Sequence, residues 1–175
     1  MLNHALRRAA VAALAAAATL AVVTPAKAAV REYWIAAVAV PAWNIVPNGQ
    51  DAITGEQFDP SKTIVPAVVY RAYTPHWQRP LPAPYGGIPG PTIHARVGDV
   101  VQWDVLALGD DHHTFHVHGH RWLKDGVPID VQTVGPAESF KIRWREDRAG
   151  TWLYHCHVES HMMNGMIGLY RVAPR

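Results

Sequence analysis

From residue 29 onward, Val, Ile, Trp, Tyr and Thr recur in short runs, and Gly, Pro and Asp interrupt them before a three-to-four periodicity can build up. Alternation with a period of two puts successive side chains on opposite faces of an extended chain, so the pattern predicts β-strands. Strands are expected at Glu32–Val40, Ala67–Tyr73, Thr92–Arg96, Val100–Leu106, Thr114–His118, Ser139–Arg145, Gly150–His155 and Ile167–Val172. Six to nine strands of this length bury their apolar faces by packing as two sheets, which predicts an all-β sandwich or barrel. Gly98-Asp99 and Arg148-Ala149-Gly150 supply turns. The proline- and glycine-dense stretch from Thr74 to Pro91 cannot be an interior strand, because proline brings no N–H to a ladder. It is expected to cross the surface as a long ordered loop.

The first residues follow a different pattern. Arg7 and Arg8 precede an alanine-rich apolar run, Ala9 to Val23, and an A-x-A site at Ala26-Lys27-Ala28. This is the layout of a secretory signal peptide over residues 1–28. The run is shorter than the roughly 20 residues that span a bilayer, so no stable membrane insertion is expected after cleavage. The expected destination is the periplasm or the extracellular space. Arg7-Arg8 also suits a twin-arginine signal. Residues 29–175 are expected to form one domain around one core.

Composition narrows the function. With 49% hydrophobic and 17% charged residues, the chain has enough apolar material for a core and is no disordered tail. Lys+Arg 16 stands against Asp+Glu 14, with no basic run after the leader, so nucleic acid is not an expected partner. Cys156 is the only cysteine, which excludes a disulfide within the chain. An inert buried thiol, an intermolecular disulfide and a metal ligand remain.

The neighbours of Cys156 favour a metal. Eight of the 11 histidines lie in two segments, His112 to His120 and His155 to His161, the second followed by Met162, Met163 and Met166. On a strand, His116 and His118 share a face, and so do His155 and His157, while Cys156 points the other way. One strand thus offers a thiolate to one site and two imidazoles to another. A thiolate with imidazoles and a weak axial thioether is the ligand set of blue copper. The loop from Cys156 through His161 to Met166 can supply three such ligands, and His113 the fourth. Zinc also takes Cys and His, although structural zinc sites recruit several cysteines at short spacing.

The segments His113-Thr114-Phe115-His116-Val117-His118-Gly119 and His155-Cys156-His157 through His161 to Met166 match H-x-x-H-x-H-G and H-C-H-x-x-x-H-x-x-x-x-M. These resemble the third and fourth copper motifs of the multicopper oxidases, the family of laccases, ascorbate oxidase and ceruloplasmin. Gly90-Pro91-Thr92-Ile93 with Gly98-Asp99 resembles that family's opening strand pair, Gly150 to Tyr154 its approach to the cysteine, and Arg31 to Ala37 the start of ceruloplasmin-like domains.

The resemblance implies a cupredoxin-like Greek-key β-sandwich with copper as cofactor. It implies type 1 copper on His113, Cys156, His161 and Met166, type 2 copper on His116, and a type 3 pair on His118, His155 and His157. Electrons from a phenolic, metal-ion or protein donor would enter at the type 1 copper. They would pass from Cys156 through the flanking His155 and His157 to dioxygen, giving water.

Such a cluster takes eight histidines from two domains, and this sequence offers the second four; His76 and His94 stand alone. The missing half is expected from a second copy in a homo-oligomer or from a partner cupredoxin domain. The alternative is a mononuclear type 1 electron carrier, which leaves His116, His118 and His157 without a task. Copper nitrite reductase pairs its cysteine with one preceding histidine, whereas here His157 follows as well. Copper storage or copper-ion oxidation is suggested by Met162 and Met163, which are otherwise expected as packing residues on the ligand loop. The tryptophans are expected in the core and as loop anchors, with Trp122 the one candidate for a substrate contact. Asp111 and Glu159 are expected as hydrogen-bonding or solvated charges near the ligands, with proton transfer as the alternative.

Overall fold

The computed structural model describes residues 27–44, 55–57, 59–83 and 87–175. Residues 1–26 of the expected leader lie outside the described residues, as do 84–86 of the expected loop. All eight expected strands are present: β1 (Val30–Asn44), β2 (Ile64–Tyr73), β3 (Ile93–Arg96), β4 (Val100–Ala107), β5 (His113–Val117), β9 (Ser139–Arg145), β10 (Gly150–His155) and β11 (Ile167–Ala173). Between β5 and β9 the chain forms three further strands, β6 (Trp122–Lys124), β7 (Val127–Ile129) and β8 (Val131–Val134). β6 and β7 expose Leu123 and Val127, and β8 buries Gln132, so none of them shows apolar-in, polar-out alternation.

The strands form two main sheets, β2-β1-β4-β9 and β3-β11-β10-β5-β8, with β6-β7 as a separate hairpin. The fold is the expected all-β, cupredoxin-like sandwich. The turn at Gly98-Asp99 carries the chain from β3 in one sheet to β4 in the other, and each then pairs in parallel, β3 with β11 and β4 with β1. Asp99, 2% exposed, fixes this crossing. Its carboxylate accepts the backbone N–H of Ala29 at 2.8 Å and of Arg96 at 2.9 Å, together with the Arg31 guanidinium.

Alternation gives each sheet one apolar face, and these meet around the fully buried Trp103, whose ring contacts Phe115, Tyr154 and Tyr170. Each buried ring such as Phe115 contributes on the order of 2 kcal/mol of apolar burial. Trp122, 3% exposed, packs against Phe115 and Trp144 as a core residue. Where the proline-rich loop is described, it folds back on the first sheet. Trp77 Nε1 donates to the Ile35 carbonyl at 2.9 Å, and the N–H of Leu81 to Ala72 at 2.8 Å. Among the described residues no helix is long and apolar enough to cross a membrane.

Candidate metal centre

β5 and β10 are antiparallel neighbours, with Tyr154 opposite Val117 and His155 opposite His116. This register sorts the chemistry by face. His113, Phe115, Val117, Tyr154 and Cys156 are buried between the sheets, whereas His116, His118, His155 and His157 lie on the other face, where His118 and His157 are exposed.

The buried group joins His113, Cys156 and His161, whose ligand atoms lie within 4.8 Å of one another. The Nδ1 atoms of His113 and His161 are 3.1 Å apart, and Cys156 Sγ is 3.9 Å from His161 Nδ1. The N–H groups of Thr114 and Val158 each point at the sulfur from 3.4 Å, and the Thr114 hydroxyl from 3.6 Å. A short helix that the sequence pattern did not announce, α1 (Glu159–Met163), turns the loop so that His161 comes back to Cys156. Gly165, at φ +98° with Ile88 against its Cα, then lets the chain turn again; a side chain there would be strained and would overlap Ile88. The N–H of Met166 donates to the His161 carbonyl at 2.9 Å, and that of Cys156 to the Met166 carbonyl at 3.2 Å. Positions 156, 161 and 166 therefore converge, and Met166 is fully buried. Burial first, and the neighbouring His161 second, push the His113 pKa down to about 4, which leaves this imidazole neutral at ordinary pH.

The outward group brings the ligand atoms of His116, His155 and His157 within 4.8 Å of one another, and His118 Nε2 stands 2.9 Å from His155 Nε2. The His155 and His157 rings are stacked, 6° from parallel and 4.8 Å apart, as expected for alternate residues on an extended chain. His116 Nδ1 donates to the Asp130 carbonyl at 2.6 Å and His155 Nδ1 to the Cys156 carbonyl at 2.8 Å. Both bonds fix the tautomer that leaves Nε2 with a free lone pair. Desolvation, then the neighbouring imidazoles, lower the pKa of His118 and of His157.

The family model described as multicopper oxidase matches residues 58–175. This chain belongs to the multicopper oxidase family. Its similar curated proteins include ceruloplasmin of Rattus norvegicus, 39% identical over 51% of this chain and 9% of that protein, and L-ascorbate oxidase of Cucumis sativus, 37% identical over 51% and 16%. A further one is a probable nitrite reductase-hydroxylamine oxidoreductase fusion protein of Kuenenia stuttgartiensis, 37% identical over 48% and 10%. The matched segments thus span less than a fifth of these relatives. A solved multicopper oxidase superposes with a TM-score of 0.57 at 30% identity, covering 83% of this chain and 42% of its own. The copper nitrite reductase from Nitrosomonas europaea shares the fold, with a TM-score of 0.51 at 20% identity.

Copper is the cofactor of this family member. The donor sets fit it: a hydrogen-bonded sulfur beside two imidazole nitrogens on one face, and imidazoles with free Nε2 atoms on the other. Asp111, exposed, has Oδ2 3.9 Å from His161 Nε2, and both line a surface groove of about 310 Å³ floored by Ala39, Pro66 and Val68. Glu159 is exposed. Met163 is 74% exposed, so the packing role expected for it is replaced by a position in solvent on the ligand loop.

Two positions that stand behind the histidines have no signal in the sequence. The carbonyl of Asp130 orients His116 only because β8 lies beside β5. Glu146 follows the exposed Arg145 and reads as a solvated charge, yet it is 2% exposed. Burial opposes its ionisation, but hydrogen bonds from His120, Tyr170 and Trp144 prevail and hold its carboxyl below the usual carboxylate range.

Proposed function

We propose that this chain is an exported copper oxidoreductase that takes electrons from a reductant and delivers them to dioxygen at a site completed by a second domain. His113, Cys156 and His161, with Met166 as the weak fourth ligand, hold a type 1 copper. His116, His118, His155 and His157 supply half of a type 2/type 3 cluster. When bound, copper supplies the one-electron chemistry that carries electrons from a phenolic, metal-ion or protein donor to dioxygen and yields water.

The observation that carries this reading is the position of Cys156, buried between the sheets, while the residues on either side of it, His155 and His157, face outward in the four-histidine group. Two covalent neighbours of one sulfur therefore connect the two groups through the backbone. Cys156 holds the first metal, and His155 and His157 bring the second site to it. His161 is only partly buried and borders the groove, which suits entry of electrons on that side. The four outward imidazoles have no further histidines facing them among the described residues, so a second copy of the chain or a partner domain brings the rest.

A mononuclear electron carrier is the second reading, favoured by the fact that one chain provides the whole Cys156 group. Copper per chain, together with optical and electron paramagnetic resonance spectra, separates the two when measured on protein fractionated by size. An intense thiolate band with more than one copper per chain, confined to the oligomer, supports the oxidase. One copper per chain in a monomer, with no second signal, overturns it in favour of the carrier.

A further inference from the structure

The turn that ends β5 carries His118, and its stability does not come from β5 alone. Gly119 there has φ +69°, and its carbonyl accepts the Arg148 guanidinium. A side chain at this position would crowd both Arg148 and Trp152. The carbonyl of His118 itself accepts Nδ1 of His120 at 2.8 Å. His120 is 9% exposed and turns its other nitrogen, Nε2, to Glu146 Oε2 at 3.3 Å. The second oxygen of Glu146 accepts Trp144 Nε1 from β9 and the Tyr170 hydroxyl from β11. A carboxylate held from two strands thus holds an imidazole, which holds the backbone of a residue in the four-histidine group.

We propose that Glu146 is a positioning residue for His118: acting through His120, it sets the turn that presents the His118 imidazole to His155. The inference deepens the four-histidine reading and rests on it for its purpose, but not for its geometry. Burying a carboxylate is costly unless every oxygen is satisfied. Here Trp144, Tyr170 and His120 all bond to it, and an apolar side chain in its place would leave Trp144 Nε1 and the Tyr170 hydroxyl without this acceptor. The contact with His120 is what ties this arrangement to the outward face, because the Nδ1 bond to His118 lies at the far side of the same ring.

The test uses the full chain with Glu146→Gln, which keeps the size of the side chain and alters its bonding to His120. In the copper-free protein, ring-nitrogen magnetic resonance should show shifted His118 and His155 signals and unshifted His113 and His161 signals. On copper titration, the second class of sites should weaken by about tenfold or more, the usual effect of removing a hydrogen-bonding partner behind a metal ligand. The visible thiolate band should persist and report a folded chain. Glu146→Gln combined with His120→Asn should weaken the second class no more than the stronger single variant, since residues acting in series are not additive. If Glu146→Gln gives no thiolate band, Glu146→Asp, which keeps the charge and withdraws the carboxylate by one methylene, carries the same expectations. Unshifted His118 and His155 signals, or fully additive losses, overturn the inference. A wild-type chain that binds no second class of copper defeats the four-histidine reading instead, while the nitrogen signals still decide the role of Glu146.

Discussion

His118 Nε2 lies 2.9 Å from His155 Nε2, although the two residues are 37 positions apart, one in the turn after β5 and the other at the end of β10. His155 Nδ1 already donates to the Cys156 carbonyl, so its Nε2 presents a lone pair that would be available to a bound metal. On the opposite side of the same strand, the sulfur next to His155 faces His161 at 3.9 Å. The two groups are independent enough to be removed separately, and this is the basis of the first prediction.

Cys156→Ser should abolish the visible thiolate band and lower bound copper by one per chain. The outward imidazoles, held by Asp130 and by the backbone of β10, should still take up metal. Optical spectra with copper analysis on the same samples check this; loss of all copper would mean that the outward group depends on an occupied inner one.

Leu153 is 37% exposed and faces the same side of β10 as His155. A carboxylate there would have to be desolvated in any interface covering the four histidines. Leu153→Asp should therefore leave the thiolate band intact, weaken in sedimentation any association made through this face, and reduce copper towards one per chain.

Gly168 faces Tyr154 across the β10–β11 ladder, and a methyl on it would overlap the Tyr154 ring. Tyr154 is fully buried, so neither residue can yield without disturbing the core. Gly168→Ala should cost about 1–3 kcal/mol, the range for overpacking a dense core. The check is a lower denaturant midpoint at unchanged slope.

Burial of Asp99 disfavours its charged form, but the hydrogen bonds from Arg31, Ala29 and Arg96 outweigh this and hold its carboxyl below the usual range. A carboxyl whose pKa is lower folded than unfolded adds stability above the unfolded value, about 3.9, and loses it as pH falls through the folded value. Asp99→Asn should flatten the fall in stability below about pH 4, besides lowering stability at neutral pH. Denaturant titrations at pH 7 and at pH 3 measure both effects; equal losses at the two pH values would remove Asp99 from the acid response.

Much of the inner group was legible in the sequence because alternation along β10 is a local property: Cys156 in, His155 and His157 out, wherever the strand lies. The eight expected strands were legible for the same reason, since their alternating positions declare their faces. Strands β6 to β8 and the helix α1 were not: exposed Leu123 and Val127 and buried Gln132 break the alternation, and the five residues of the helix make fewer than two turns. The exposure of Met163 follows from that missed helix, which turns Met163 outward while Met166 enters the core.

The sequence by itself determined the sheet class, the opposite facing of Cys156 and its flanking histidines, and a set of candidate copper ligands spread over two short segments. Only the tertiary structure decided that β5 lies beside β10 in the register that sets His116 against His155, and that Asp130 and Glu146 stand behind the ligands. The reason is physical: facing and spacing are fixed by the geometry of one extended chain. Register and buried polar partnerships depend instead on which strands pack together, a choice made by the whole core around Trp103.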